Sequence, residues 1–171
     1  MSSPHRNRLR VLGIDPSTRG FGYAVIEDNG RLIARGVAHI PSRRTRDLLD
    51  RVERLFSVYA PDVVALEDIF PTRRGDRAKR EIERIAGYAH LREVRRVIVS
   101  RHDVRRALGL PDRASKNELA DRIASILPDL APLLPPKRKL WQSERECMNV
   151  FDAAGLAIAA TTFHRADRRA A

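Results

Sequence analysis

The chain has 171 residues, 43 % of them hydrophobic, which is one domain of ordinary size with enough apolar side chain for a core and excludes wholesale disorder. Its 33 basic residues outnumber 22 acidic ones for a net charge of +11, an excess that predicts a polyanionic partner, nucleic acid first. A single cysteine, Cys147, excludes an intramolecular disulfide and a zinc site built from several thiolates, and no apolar run is long enough to read as a membrane span.

Met1 to Arg10 is polar and basic and lacks the apolar middle of a secretory signal, which predicts the cytoplasm. Arg8 to Ile40 then reads as three strands. Val11 to Asp15 is an apolar run ending on a carboxylate, and Gly22 to Ile26 is a second run. Asn29-Gly30 signals a tight turn, because both residues tolerate positive φ, and Leu32 to Ile40 returns. Leu48, Leu49, Val52, Leu55, Phe56 and Tyr59 recur at helical spacing, predicting a helix over 44–59 that Pro61 breaks. Val63 to Leu66 is continuously apolar, as a strand buried on both faces would be, and ends at Glu67. A second helix is predicted over 77–93, and Val97 to Val99 reads as another buried strand.

Ser100 with Asp103 could cap a short helix, and Ser115 with Glu118 forms a capping box. Prolines 128, 132, 135 and 136, followed by Lys137-Arg138-Lys139, predict a Pro-rich basic loop over 128–146. A last helix over 148–164, opening its apolar stretch at Asp152, leaves a polar tail expected to fray. Helices alternating with strands after a meander predict a single α/β domain over 1–171, core about 8–164, with flexible tails. Its sheet is mixed, an antiparallel three-stranded meander plus parallel strands, flanked by helices.

Three acids end or begin apolar runs: Asp15, Glu67 and Asp152. Ligands of an α/β sheet gather beyond the carboxyl ends of its strands. Two carboxylates side by side there repel unless a cation joins them. Hard ions such as Mg²⁺ accept such oxygens, and a pair of metal ions can activate water and stabilise a leaving oxygen in phosphodiester hydrolysis. Each acid has a plainer reading: Asp15 as a turn starter before Pro16, Asp152 as a helix-start acid, Glu67 as an arginine's partner. Together, on a basic chain, they favour a metal site. Arg73, Arg74, Arg77, Lys79 and Arg80 cluster around one acid, Asp76, and fit phosphate binding. Ser17 and Arg19 follow the first acid and are further phosphate candidates. Phe70 is either a core aromatic or a stacking wedge. Lys116 sits at a helix start, where the dipole disfavours a cation, which points to a role.

These residues resemble the motifs of the RuvC Holliday-junction resolvases, endonucleases of the RNase H-like superfamily. Gly13-Ile14-Asp15-Pro16-Ser17-Thr18 with Gly22 to Ile26 is similar to the family's first motif, and Glu67-Asp68-Ile69-Phe70 to its second. Arg84-Ile85-Ala86-Gly87 lies where the family has its dimer-forming helix. Ala114 to Leu119 resembles its lysine-bearing helix start, and Asp152-Ala153-Ala154 its last acidic motif. The resemblance implies an RNase H-like fold and a metal-dependent, structure-selective endodeoxyribonuclease that cuts four-way DNA junctions in recombination and repair. It further implies a homodimer at the nucleoid, served by branch-migration motor proteins. Asp15, Glu67 and Asp152 would hold Mg²⁺ or Mn²⁺, in a two-metal site. Phe70 would be the wedge at the junction, and Lys116 would touch the scissile-strand phosphate.

Two departures stand out. Gly155 occupies the position of the family's second Asp in the last motif, leaving a cavity where a carboxylate could reach: either Asp15, Glu67 and Asp152 suffice, with waters completing the metal's shell, or a nearby acid such as Glu146 or Glu144 swings in. The stretch 128–146 is also longer and more basic than the family's short loop. Other readings are a non-catalytic branched-DNA binder on the same scaffold and an RNase H-like nuclease acting on RNA or hybrid. An actin-like ATPase would need a second lobe and a second Gly-rich phosphate loop, which this chain lacks.

Overall fold

Alternation of side chains along five strands decides the architecture. In the computed structural model, which describes residues 8–40, 44–68, 75–135 and 147–170, the strands are β1 (Arg10–Ser17), β2 (Gly20–Glu27), β3 (Leu32–His39), β4 (Val63–Glu67) and β5 (Arg95–Val99). They form one sheet in the order β3-β2-β1-β4-β5. β1 to β3 make the expected antiparallel meander, while β4 and β5 run parallel to β1. The Asn29-Gly30 turn closes as its sequence predicts: Gly30 takes φ 88° and donates to the Glu27 carbonyl.

One face of the sheet carries Leu12, Ile14, Phe21, Val25, Val64 and Leu66. These pack against α1 (Thr45–Tyr59) and α2 (Asp76–Leu91). The other face carries Val11, Ala24, Ile26, Val63, Ala65 and Val99. It is covered by α5 (Cys147–Ala170), with α3 (Arg101–Ala107), α4 (Lys116–Ile126) and a 3-10 turn at Pro128–Leu133 alongside. Val63 to Leu66 is buried on both faces because it lies between two helical layers.

Two glycines let α5 sit directly on the strands. A Cβ at Gly13 would overlap the Ala153 carbonyl, and one at Gly22 would overlap the Asn149 backbone. Any side chain there would push the helix off the sheet.

Four expectations are corrected. The run Val97 to Val99 is not doubly buried: β5 is an edge strand with Arg95, Arg96 and Ile98 exposed, because the helical layers stop short of the sheet margin. The last helix does not end at 164: α5 runs on through the polar residues to Ala170. Asp152 lies in the second turn of α5, which begins at Cys147, so the macrodipole does not account for it. The stretch from Pro128 opens with a 3-10 turn that buries Leu130; the rest of the expected loop, 136–146, lies outside the described residues. Among the described residues no helix is long and apolar enough to cross a membrane.

Candidate functional site

The parallel pairing of β1 with β4 aligns Val11 with Val63, Leu12 with Val64 and Gly13 with Ala65. That register, carried two residues further, sets Asp15 beside Glu67. Period-two alternation puts both acids on the α5 face, with Gly13 and Ala65. They are almost fully buried, at 2 % and 4 % exposure. Above them Asp152 looks down from α5, held close because its neighbour Ala153 rests on Gly13. The three carboxylates line one cavity of about 100 Å³, room for several waters.

Cations come from the two short helices. Ser100 and Ser115 each close a complete capping box, with Asp103 and Glu118 respectively. These caps fix where α3 and α4 begin, and so where Arg101 and Lys116, their first residues, stand. The Nζ of Lys116 donates to Asp152 Oδ2 at 3.2 Å. The Nε of Arg101 donates to Glu67 Oε1 at 2.7 Å. Arg105 lines the cavity as well and donates to the Ala114 carbonyl, which ties α3 to the start of α4. Val104, Leu119 and Leu156 supply apolar walls. The Ser100 hydroxyl holds the Asp103 carboxyl below its ordinary pKa, and the Ser115 backbone N–H, followed by its hydroxyl, lowers that of Glu118.

Three carboxylates converging on one cavity are the donor chemistry of a hard divalent cation, so the residues present fit such an ion. Two of the three spend an oxygen on Arg101 or Lys116. Consistent with this, among the described residues no three His, Cys, Asp or Glu side chains are gathered as ligands about a single point. The arrangement is one of carboxylates paired with cations at the rim of the cavity.

Of the residues singled out in the sequence, Asp15, Glu67, Asp152 and Lys116 come together here. Ser17 and Arg19 do not line the cavity. Ser17 donates its hydroxyl to the Gly20 carbonyl, and the Arg19 carbonyl accepts from Ile40. Arg77 is ion-paired with Glu81 at 2.9 Å along α2, while Lys79 is half-buried and Arg80 exposed on the same helix. Phe70, Arg73, Arg74 and Glu146 lie outside the described residues. The cavity expected at Gly155 is absent: a Cβ there would stand 2.9 Å from Val104 Cγ1 and 3.4 Å from Ile123 Cδ1, so α3 and α4 already fill the space. Arg101 and Arg105 escaped the sequence reading. The signal for them was the Ser100–Asp103 cap, which begins a helix immediately beyond the strand that neighbours Glu67.

The family model of the crossover junction endodeoxyribonuclease RuvC matches residues 11–128, which takes in β1 to α4 and leaves α5 beyond the match. A RuvC of Thermomicrobium roseum is 33 % identical over 138 residues, covering 74 % of this chain and 83 % of the relative. A RuvC of Hahella chejuensis is 39 % identical over 77 residues, covering 41 % of this chain and 45 % of the relative. In that alignment and in the one with Trichlorobacter lovleyi RuvC, the match spans less than half of the curated relative. Among solved structures, Thermus thermophilus RuvC superposes with a TM-score of 0.68 at 21 % identity, covering 93 % of this chain and 97 % of that one. The same protein in complex with a Holliday junction substrate gives 0.66 at 21 % identity, with 92 % and 96 % covered. This likeness concerns the fold, a mixed five-stranded sheet flanked by helices, of the RNase H-like kind.

Proposed function

Because the chain belongs to the RuvC family of crossover junction endodeoxyribonucleases, we propose that it is a metal-dependent endonuclease that cuts four-way DNA junctions by phosphodiester hydrolysis. The observation that carries this reading is the meeting of Asp15, Glu67 and Asp152 in one cavity, two of them buried on neighbouring parallel strands.

Asp15, Glu67 and Asp152 would hold the divalent cation, Mg²⁺ or Mn²⁺ and in a pair, which when bound supplies water activation and neutralises charge on the scissile phosphate. The chain's own residues do the rest. Burial of Asp15 and Glu67 between helical layers fixes their oxygens without rotamer freedom to lose. Lys116, half-exposed at the rim, is placed to leave Asp152 for a phosphate oxygen as substrate enters. Val104, Leu119 and Leu156 keep one wall dry, which strengthens the electrostatics beside it. Arg73, Arg74, Arg77, Lys79, Arg80, Arg19 and Ser17 would hold the junction's phosphates, and Phe70 would stack on a base exposed at the crossover. A junction presents two strands for cutting, which a homodimer with two-fold symmetry serves with two such clefts. Branch-migration motor proteins are the proposed further partners, at the nucleoid.

The test offers purified protein labelled four-way junction, linear duplex and RNA–DNA hybrid, each with Mg²⁺, Mn²⁺ or EDTA. Metal-dependent paired incisions in the junction alone are expected. Binding without incision under every metal would replace this reading with a non-catalytic junction binder, and preferential cutting of the hybrid would replace it with an RNA-directed nuclease.

A further inference from the structure

Arg101 is the first residue of α3, directly after its cap Ser100, where the helix dipole disfavours a cation. The acid of that first turn does not compensate it, because Asp103 is engaged by Ser100 and Arg106. Instead the guanidinium reaches across the strand ends to Glu67 Oε1, at 2.7 Å. The pair is lopsided: the Arg101 side chain is 57 % exposed and that of Glu67 only 5 %. Withdrawing Arg101 into water costs little, whereas Glu67 stays buried and loses this ion pair. Any other cation that takes Glu67 must therefore compete with Arg101 for it.

Resting on the reading of this cleft as a divalent-metal site, we propose that Arg101 is a positioning residue: it holds the Glu67 carboxylate in place, is exchanged for the metal ion, and thereby sets the cleft's metal affinity. The exchange makes and breaks no covalent bond. Its consequence is a site that stays closed to cations until their concentration, or a phosphate that draws Arg101 away, tips the competition.

The test is calorimetric titration of the full chain with Mn²⁺ alone, without DNA, for the wild type, Arg101→Gln, Arg101→Lys and Asp15→Asn, with a melting curve for each metal-free protein. Removing one unit charge beside a half-exposed cleft should tighten Mn²⁺ binding by about tenfold in Arg101→Gln. The metal-free melting temperature should fall in the same variant. Tighter binding with lower stability separates this role from a merely structural one, which would lower both. Arg101→Lys keeps the charge but loses the planar fork, so it should bind between the two. Should Arg101→Gln not fold, that intermediate tightening carries the test. Binding equal to or weaker than wild type in the arginine variants, with binding lost in Asp15→Asn, overturns the role of Arg101 and leaves the metal site standing. No Mn²⁺ binding by the wild type or by either arginine variant, or binding equally tight in the wild type and Asp15→Asn, overturns both.

Discussion

Gly13 on β1 lies under the carbonyl of Ala153 on α5 so closely that even a methyl group would overlap the oxygen. This contact sets the height of α5 above the sheet, and with it the reach of Asp152 toward Asp15. Gly13→Ala should therefore destabilise the fold by about 2 kcal/mol, in the range of core overpacking, and weaken cleavage more than junction binding. Chemical denaturation and parallel binding and cleavage assays check it. An unchanged denaturation midpoint would mean that α5 has slack the packing does not reveal.

Asp15→Asn keeps the shape of the side chain and removes its charge. Cleavage should drop to background while junction affinity stays within a few-fold, because affinity comes from cations on phosphates. Cleavage at the wild-type rate would remove Asp15 from the metal site.

Gly155 faces Val104 and Ile123, not open space. Gly155→Asp should bury a carboxylate among apolar side chains, lower the melting temperature and add no Mg²⁺-dependent activity. A metal titration of cleavage beside a thermal melt decides this. Faster cleavage in Mg²⁺ would show that the aspartate finds its way past Val104 to the cleft.

Arg77 bonds Glu81 one turn along α2, and Glu81 is only 7 % exposed. Arg77→Ala should destabilise by about 1–2 kcal/mol through the charge left behind, and adding Glu81→Gln should recover much of it. The double variant then isolates the DNA role of Arg77. With Arg73→Ala and Arg74→Ala it should flatten the dependence of junction affinity on salt. A slope unchanged from wild type would exclude these arginines as phosphate contacts.

The Ser100 hydroxyl lowers the pKa of Asp103, so this carboxylate stabilises the fold above its unfolded pKa and ceases to do so as pH falls through the lower folded value. Ser100→Ala should cost about 1 kcal/mol at neutral pH, with the gap from wild type narrowing in acid. Denaturation at a series of pH values measures that gap. A gap constant into acid would mean that the cap works without the carboxylate.

Much of the fold was legible because local signals agreed with one another. Asn29-Gly30 marked a hairpin, the continuous apolar run Val63 to Leu66 marked a strand covered on both faces, and Ser100 and Ser115 marked helix starts. The burial of β5 was not legible. An apolar triplet such as Val97 to Val99 reads alike at the centre and the edge of a sheet, and only strand order distinguishes them. Asp15 and Glu67 could be paired from the sequence because strand ends are where ligands gather. Gly155 misled because three residues along a helix leave a rotation of about 60°, enough to turn a side chain from the cleft onto a neighbouring helix. Arg101 stayed hidden because its partner is on another strand.

The glycine seat beneath α5 also orders events in time. β1 and β4 pair through one crossover, so Asp15 and Glu67 can meet while the chain is still being synthesised. Asp152 arrives only when α5, far downstream, closes over Gly13 and Gly22, a distant contact that forms slowly. A chain stalled before that helix emerges holds two acids and no third. The three-carboxylate cleft is complete only once α5 has docked on the sheet.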